Sequence, residues 1–167
     1  MRLLGVVALC AFAVGTAGAA SSSSAVARCR PGQLALTGSL QGATQSLLGT
    51  LTVANTTGRA CALPVAPSKA LLRVGTKLLP TVTVRMSTAM EPLGLPVRKV
   101  GAHQRVFVGI QWRNWCGSPK GKVRLSVGLK IFAASPRVAA HKTRTPVCAS
   151  RKSASRVAVS RFKSSPP

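Results

Sequence analysis

Between residues 104 and 117, apolar side chains fall at every second position, Val106, Val108, Ile110 and Trp112, and the run closes on Trp115 and Cys116. Only an extended chain puts residues two apart on one face, so this period specifies a β-strand. The alternate residues Phe107, Gly109, Gln111 and Arg113 point the other way, which describes a strand buried on one face. Both tryptophans of an aromatic-poor chain lie here, beside a cysteine, and a disulfide packed under an indole is expected. Residues 122–132 repeat the pattern, with Val123, Leu125, Val127, Leu129 and Ile131 on one face and Arg124, Ser126 and Lys130 on the other. On a helix those apolar residues would surround the whole circumference. The two strands are expected to form the middle of the sheet together.

Shorter β-rich runs at 33–37, 47–55, 59–63, 70–74, 78–86, 97–100 and 155–162 are separated by turn signals. Asn55-Thr56-Thr57-Gly58 combines capping side chains with a residue that tolerates positive φ, and Gly75-Thr76-Lys77 suits a hairpin. Pro80 puts the run 78–86 at an edge or a bulge, because proline gives no amide hydrogen to a ladder. Residues 38–46, 87–96 and 133–146 are expected as connections, the last a long basic link. No segment after residue 20 keeps a helical period. The chain is therefore expected to be all-β, a two-sheet sandwich of about seven to nine strands.

At the N-terminus, Met1-Arg2, an apolar run over residues 3–14 and then Ala17-Gly18-Ala19-Ala20 have the three regions of a secretory signal peptide. The run is too short to remain as a membrane span. Cys10 lies inside it and follows Leu9, where lipidation needs a small residue, so it reads as an ordinary signal residue. The expected organisation is a signal peptide over 1–20, a flexible leader over 21–28, one sandwich domain over 29–163 and a tail over 164–167. Four cysteines then remain, Cys29, Cys61, Cys116 and Cys148, and an even count in an exported chain reads as two disulfides. Three pairings are possible and counting excludes none. Cys29 with Cys61 and Cys116 with Cys148 is favoured, because each closes a loop of similar length and ties down one end of the chain. Zinc is disfavoured, since there is no Cys-x-x-Cys and His103 and His141 stand alone.

The net charge of +23 comes from 24 Lys and Arg, ordinary for 167 residues, set against one acid. The anomaly is missing carboxylate, and Glu91 is the only such side chain. A surface of this kind attracts anionic polymers and membranes with an affinity that falls as salt rises. The same inventory excludes most hydrolytic chemistry: one Glu, no Asp and no Tyr cannot build a paired-carboxylate site, a Ser-His-Asp triad or a carboxylate metal site. A Cys-His nucleophile needs a free thiol, which four bridged cysteines do not offer. No catalytic residue, metal or cofactor is expected. His103 and His141 read as solvent-exposed loop residues, Glu91 as an ion-paired surface residue, and Asn55 as a turn residue rather than a glycosylation site.

Cys29, the run Asn55-Thr56-Thr57-Gly58-Arg59-Ala60-Cys61-Ala62-Leu63 with Pro67 after it, Gln111-Trp112-Arg113-Asn114-Trp115-Cys116, and the late Cys148 together resemble a domain-of-unknown-function family of secreted or lipid-anchored actinobacterial proteins. The resemblance covers nearly the whole mature chain. It implies an immunoglobulin-like sandwich with two disulfides, and it brings no catalytic residue. Val65-Ala66 stand before Pro67 where the family pattern leads one to expect a glycine.

The densest basic region comprises Arg137, Lys142, Arg144, Arg151, Lys152, Arg156, Arg161 and Lys163, and these are the candidate anion-binding residues. Only Phe162 is interleaved with them, which suits docking on anionic envelope polymer or anionic lipid headgroups better than base stacking. The expected function is that of an exported, non-enzymatic sandwich associated with the cell envelope. The alternative is a secreted protein that binds nucleic acid without sequence preference.

Overall fold

The computed structural model describes residues 25–165, so the expected signal peptide, residues 21–24 of the leader and residues 166–167 of the tail lie outside the described residues. One sheet has six strands. Along one edge of β3 (Ser46–Asn55) lie β1 (Leu34–Gly38) and β2 (Gln41–Ala43); on its other side come β9 (Arg105–Arg113), β12 (Arg156–Val159) and β7 (Val82–Arg85). All pair antiparallel except β12 with β7. The second sheet runs β11 (His141–Arg144), β10 (Lys122–Lys130), β5 (Lys69–Val74) and β6 (Lys77–Leu78). A separate ribbon joins β4 (Cys61–Ala62) to β8 (Lys99–Val100). A 3₁₀ turn at Thr88–Met90 is the single helical element among the described residues.

The apolar faces meet in one core. Leu47, Leu51 and Val53 of β3 and Val106, Val108, Ile110 and Trp112 of β9 face Leu125, Val127 and Leu129 of β10 and Ala70 and Leu72 of β5. The result is a two-sheet, immunoglobulin-like β-sandwich. The two strongly alternating strands therefore do not share a sheet: β9 is an inner strand of one and β10 of the other. Each has one apolar face, and facing each other across the core buries both at once.

Four further expectations are revised. The run 59–63 shortens to β4, which pairs with β8 because both sides of β3 are already taken, by β1 and β9. The run 78–86 lies at sheet edges, as Pro80 led one to expect, but it divides there: Leu78 stays at the edge of the second sheet while β7 crosses to the edge of the first, and Ala70 N–H donates to Thr83 Oγ1 at 2.9 Å across the crossing. The basic link at 133–146 folds back beside β10, with Val138 N–H donating to Val127 O at 2.8 Å, and ends as β11; residues 38–46 likewise include β2. Finally, Ala27 O accepts from Ala62 N–H at 2.8 Å, so the end of the expected flexible leader is paired.

The outer face of β9 is also covered, contrary to the one-sided burial expected. Gly109 and Gln111 are buried because residues 87–96 lie across that face. A Cβ at Gly109 would come within 2.6 Å of Pro92 Cδ, so this crossing requires glycine.

The disulfides are Cys29–Cys61 and Cys116–Cys148, each spanning 32 residues. On the chain-entropy model each contributes about 3.7 kcal/mol. The indole expected over the second bridge lies against Gly117, whose Cβ would come within 2.7 Å of the Trp115 ring. Trp112 and Trp115 are tilted against one another with centroids 5.6 Å apart. Both indole N–H groups are satisfied, by Ser155 Oγ at 2.8 Å and Pro119 O at 2.7 Å.

Candidate anion-binding surface

Because β10 buries its odd-numbered side chains, Lys122, Arg124 and Lys130 face outward, while Ser126 on the same side is covered, its Oγ donating to Val138 O at 2.8 Å. The register sets Arg144 opposite Lys122, Lys142 opposite Arg124, and Lys69 opposite Lys130. Arg73 lies opposite Ser126, and Arg137 opposite Gly128, where the Arg137 stem lies over the glycine. Directly opposed side chains have Cβ atoms about 4.5–5.5 Å apart, so three facing pairs on one sheet surface are like-charged, an arrangement that destabilises a bare sheet. The arginines on this face that bond to protein do so to carbonyls: Arg73 Nη1 to Thr76 O at 3.1 Å and Arg124 Nη2 to Ala140 O at 3.5 Å. Among the described residues no side-chain carboxylate neutralises the face, since the only one, Glu91, is committed elsewhere.

That carboxylate, Glu91, is buried, its side chain 3% exposed. Arg161 holds it through its backbone N–H (3.0 Å) and its guanidinium (2.8 and 2.9 Å), and Lys163 Nζ lies 3.1 Å away. Burial by itself would raise the Glu91 pKa; hydrogen bonds from Arg161 and Lys163, with the charge of Lys163, outweigh it and bring the group down to about 2. The ion pairing is as expected, but the site is interior rather than superficial. It ties residues 87–96 to the chain beyond β12.

The eight basic candidates therefore do not form one patch. Arg137, Lys142 and Arg144 lie on the outer face of the second sheet. Arg151 and Lys152 occupy an exposed turn after Cys148, and Arg156 faces outward from the other sheet, opposite Arg113. Arg161 and Lys163 serve Glu91. Lys69, Arg73, Lys122, Arg124 and Lys130 complete the cationic face and were not among the candidates. Alternation within β10 signals the outward residues of that strand, but their facing partners come from pairings that proximity in sequence does not reveal.

Asn55 is 2% exposed: its amide donates to Arg59 O and Gly101 O, and its carbonyl accepts from Thr57 N–H and Oγ1. This is the turn role expected. Asn114, which sequence reading passed over, does the same for the chain after Cys148, donating to Ser150 O and Ser153 O and accepting from Ala149 and Ser150 N–H. His103 is exposed, as expected. His141 is instead half-buried in β11; its Nε2 accepts from Leu40 N–H at 3.2 Å, and its buried Nδ1 has no partner. Among the described residues no group of three or more His, Cys, Asp or Glu side chains is placed to hold a metal, and no helix is long and apolar enough to cross a membrane.

Fold and surface together define a disulfide-stapled β-sandwich that lines one outer sheet face with cations. The chain belongs to the family described as a domain of unknown function (DUF4232), whose model matches residues 29–163. No curated protein and no solved structure matches it. Two disulfides are the signature of an oxidising environment.

Proposed function

We propose that this is an exported, non-enzymatic binding domain that docks on anionic polymer of the cell envelope through the outer face of its four-stranded sheet. The carrying observation is the register that sets Lys122 against Arg144, Arg124 against Lys142 and Lys130 against Lys69 with no acid among them. Such a grid is repulsive until a polyanion threads it, and binding then relieves the repulsion in addition to releasing counterions. The two bridges and the signal-like N-terminus support export. The commitment of the one carboxylate to Arg161 and Lys163 supports a role without acid–base chemistry.

Titration of the protein with purified anionic wall polymer or with anionic liposomes tests this. If six cations engage, affinity falls on the order of a thousandfold between 50 and 200 mM salt. The triple variant K122Q/R124Q/K142Q should reduce the slope of log K against log salt by about 1 for each cation removed. Salt-independent binding, or an unchanged slope in the variant, refutes the assignment. Competition between DNA and wall polymer at fixed salt decides between the envelope reading and nucleic acid; the Trp112 and Phe162 side chains are fully buried in the core and cannot stack on bases, which favours the former.

A further inference from the structure

The outer face of the six-stranded sheet carries a second cationic feature of a different kind, a notch of about 230 Å³. Gln111 and Ala158, side by side on β9 and β12, line it. Arg113 and Arg156, directly opposite each other in the next outward-facing row, line one side; Ser87 and Arg85 also border it. Ala158 is small where its neighbours are large, which opens the depression. The opposed arginines are again like-charged and, among the described residues, face no side-chain carboxylate, since Glu91 is held by Arg161 and Lys163.

Gln111 makes this more than a pair of surface arginines. It is 5% exposed, and its amide makes one long contact, Nε2 to Ser46 Oγ at 3.5 Å. Arg113 reaches Met90 Sδ at 4.0 Å, a weak acceptor. Gln111, with amide donor capacity to spare, Ser87 and three arginines, Arg85, Arg113 and Arg156, thus border one small volume, with Met86 and Met90 beside them. A carboxylate has two oxygens to meet these donors; a phosphoryl group has three, with charge near −2 to match the arginine pair.

We infer that the notch binds the terminal phosphoryl group of a phosphate monoester, with Arg113 and Arg156 as the charged clamp and the Gln111 amide as the buried donor. It is distinct from the polymer-docking face, which lies on the other sheet.

The test is a ¹H–¹⁵N NMR titration at constant ionic strength with glycerol 3-phosphate, inorganic phosphate and chloride. Glycerol 3-phosphate should shift the Gln111 side-chain amide and the Arg113 and Arg156 Nε–H signals saturably, at least as tightly as inorganic phosphate, and chloride should not. R113Q/R156Q should weaken binding at least tenfold, and K122Q/R124Q/K142Q should leave it unchanged. Signal dispersion reports whether each variant is folded, and the Gln111 amide of the unaltered protein serves as a reporter that needs no variant. Rejection of the monoester, equal response to chloride, or shifts spread over arginines outside the notch would overturn the assignment.

Discussion

Glu91 shows how one residue is placed by what the rest of the chain lacks. As the only side-chain carboxylate among 24 cations it is drawn inside, where Arg161 and Lys163 enclose it. Its value of about 2 in the folded protein lies below the ordinary 4.5, so the contribution of the cluster is complete above about pH 4.5 and is lost as pH falls toward 2. That contribution is on the order of 3 kcal/mol. Glu91→Gln should cost about 3–5 kcal/mol at pH 7, because it leaves Lys163 buried without a counter-charge. Urea unfolding across pH checks both statements: the variant should lose the acid-dependent limb between pH 4.5 and 2, and adding Lys163→Met should recover part of the loss. Sequence reading anticipates the pairing from scarcity alone. It has no means of seeing the burial, since Arg161 lies 70 residues away. The two structural asparagines divide the same way. Asn55 is legible because its turn partners are local, whereas the partners of Asn114 lie 35 to 40 residues downstream.

At the scale of elements, residues 87–96 behave as a cover for β9 rather than as a free loop. Gly109→Ala should push Pro92 and Met86 off the sheet and cost about 1–3 kcal/mol. Gly42→Ala in β2, where a Cβ meets nothing within 4 Å, should stay within about 0.5 kcal/mol of the parent. Thermal unfolding of the two variants side by side checks the contrast; equal effects would mean that the cover does not press on the strand. Pro80 marked the run 78–86 as an edge or a bulge, and the structure shows more: the run divides there and the chain changes sheets. The period of two identified β9 and β10 as strands, but periodicity says which side of a strand is apolar and is silent on which strand lies beside it.

For the molecule as a whole, the two bridges enclose loops of equal length and should stabilise it about equally, by about 3.7 kcal/mol each. Replacing either cysteine pair with alanine and measuring urea unfolding under non-oxidising conditions checks this. A cost confined to one bridge would show that strain or residual structure dominates over loop entropy. Charge acts at the same scale with two opposite signs. A chain of net charge +23 repels itself, so added salt should raise its melting temperature, while the same salt weakens its hold on anionic polymer. Both trends measured on one preparation separate self-repulsion from docking.

Alternation, cysteine parity and the acid deficit are properties of local sequence and inventory. They were enough to determine an all-β chain, two bridges and a cationic character. Which strands neighbour one another, and hence which cations face each other across β10 and which two arginines meet over Gln111, was decided only by the tertiary structure. Strand register is a long-range choice, set by which apolar faces close the core together, and no single stretch of the chain contains it.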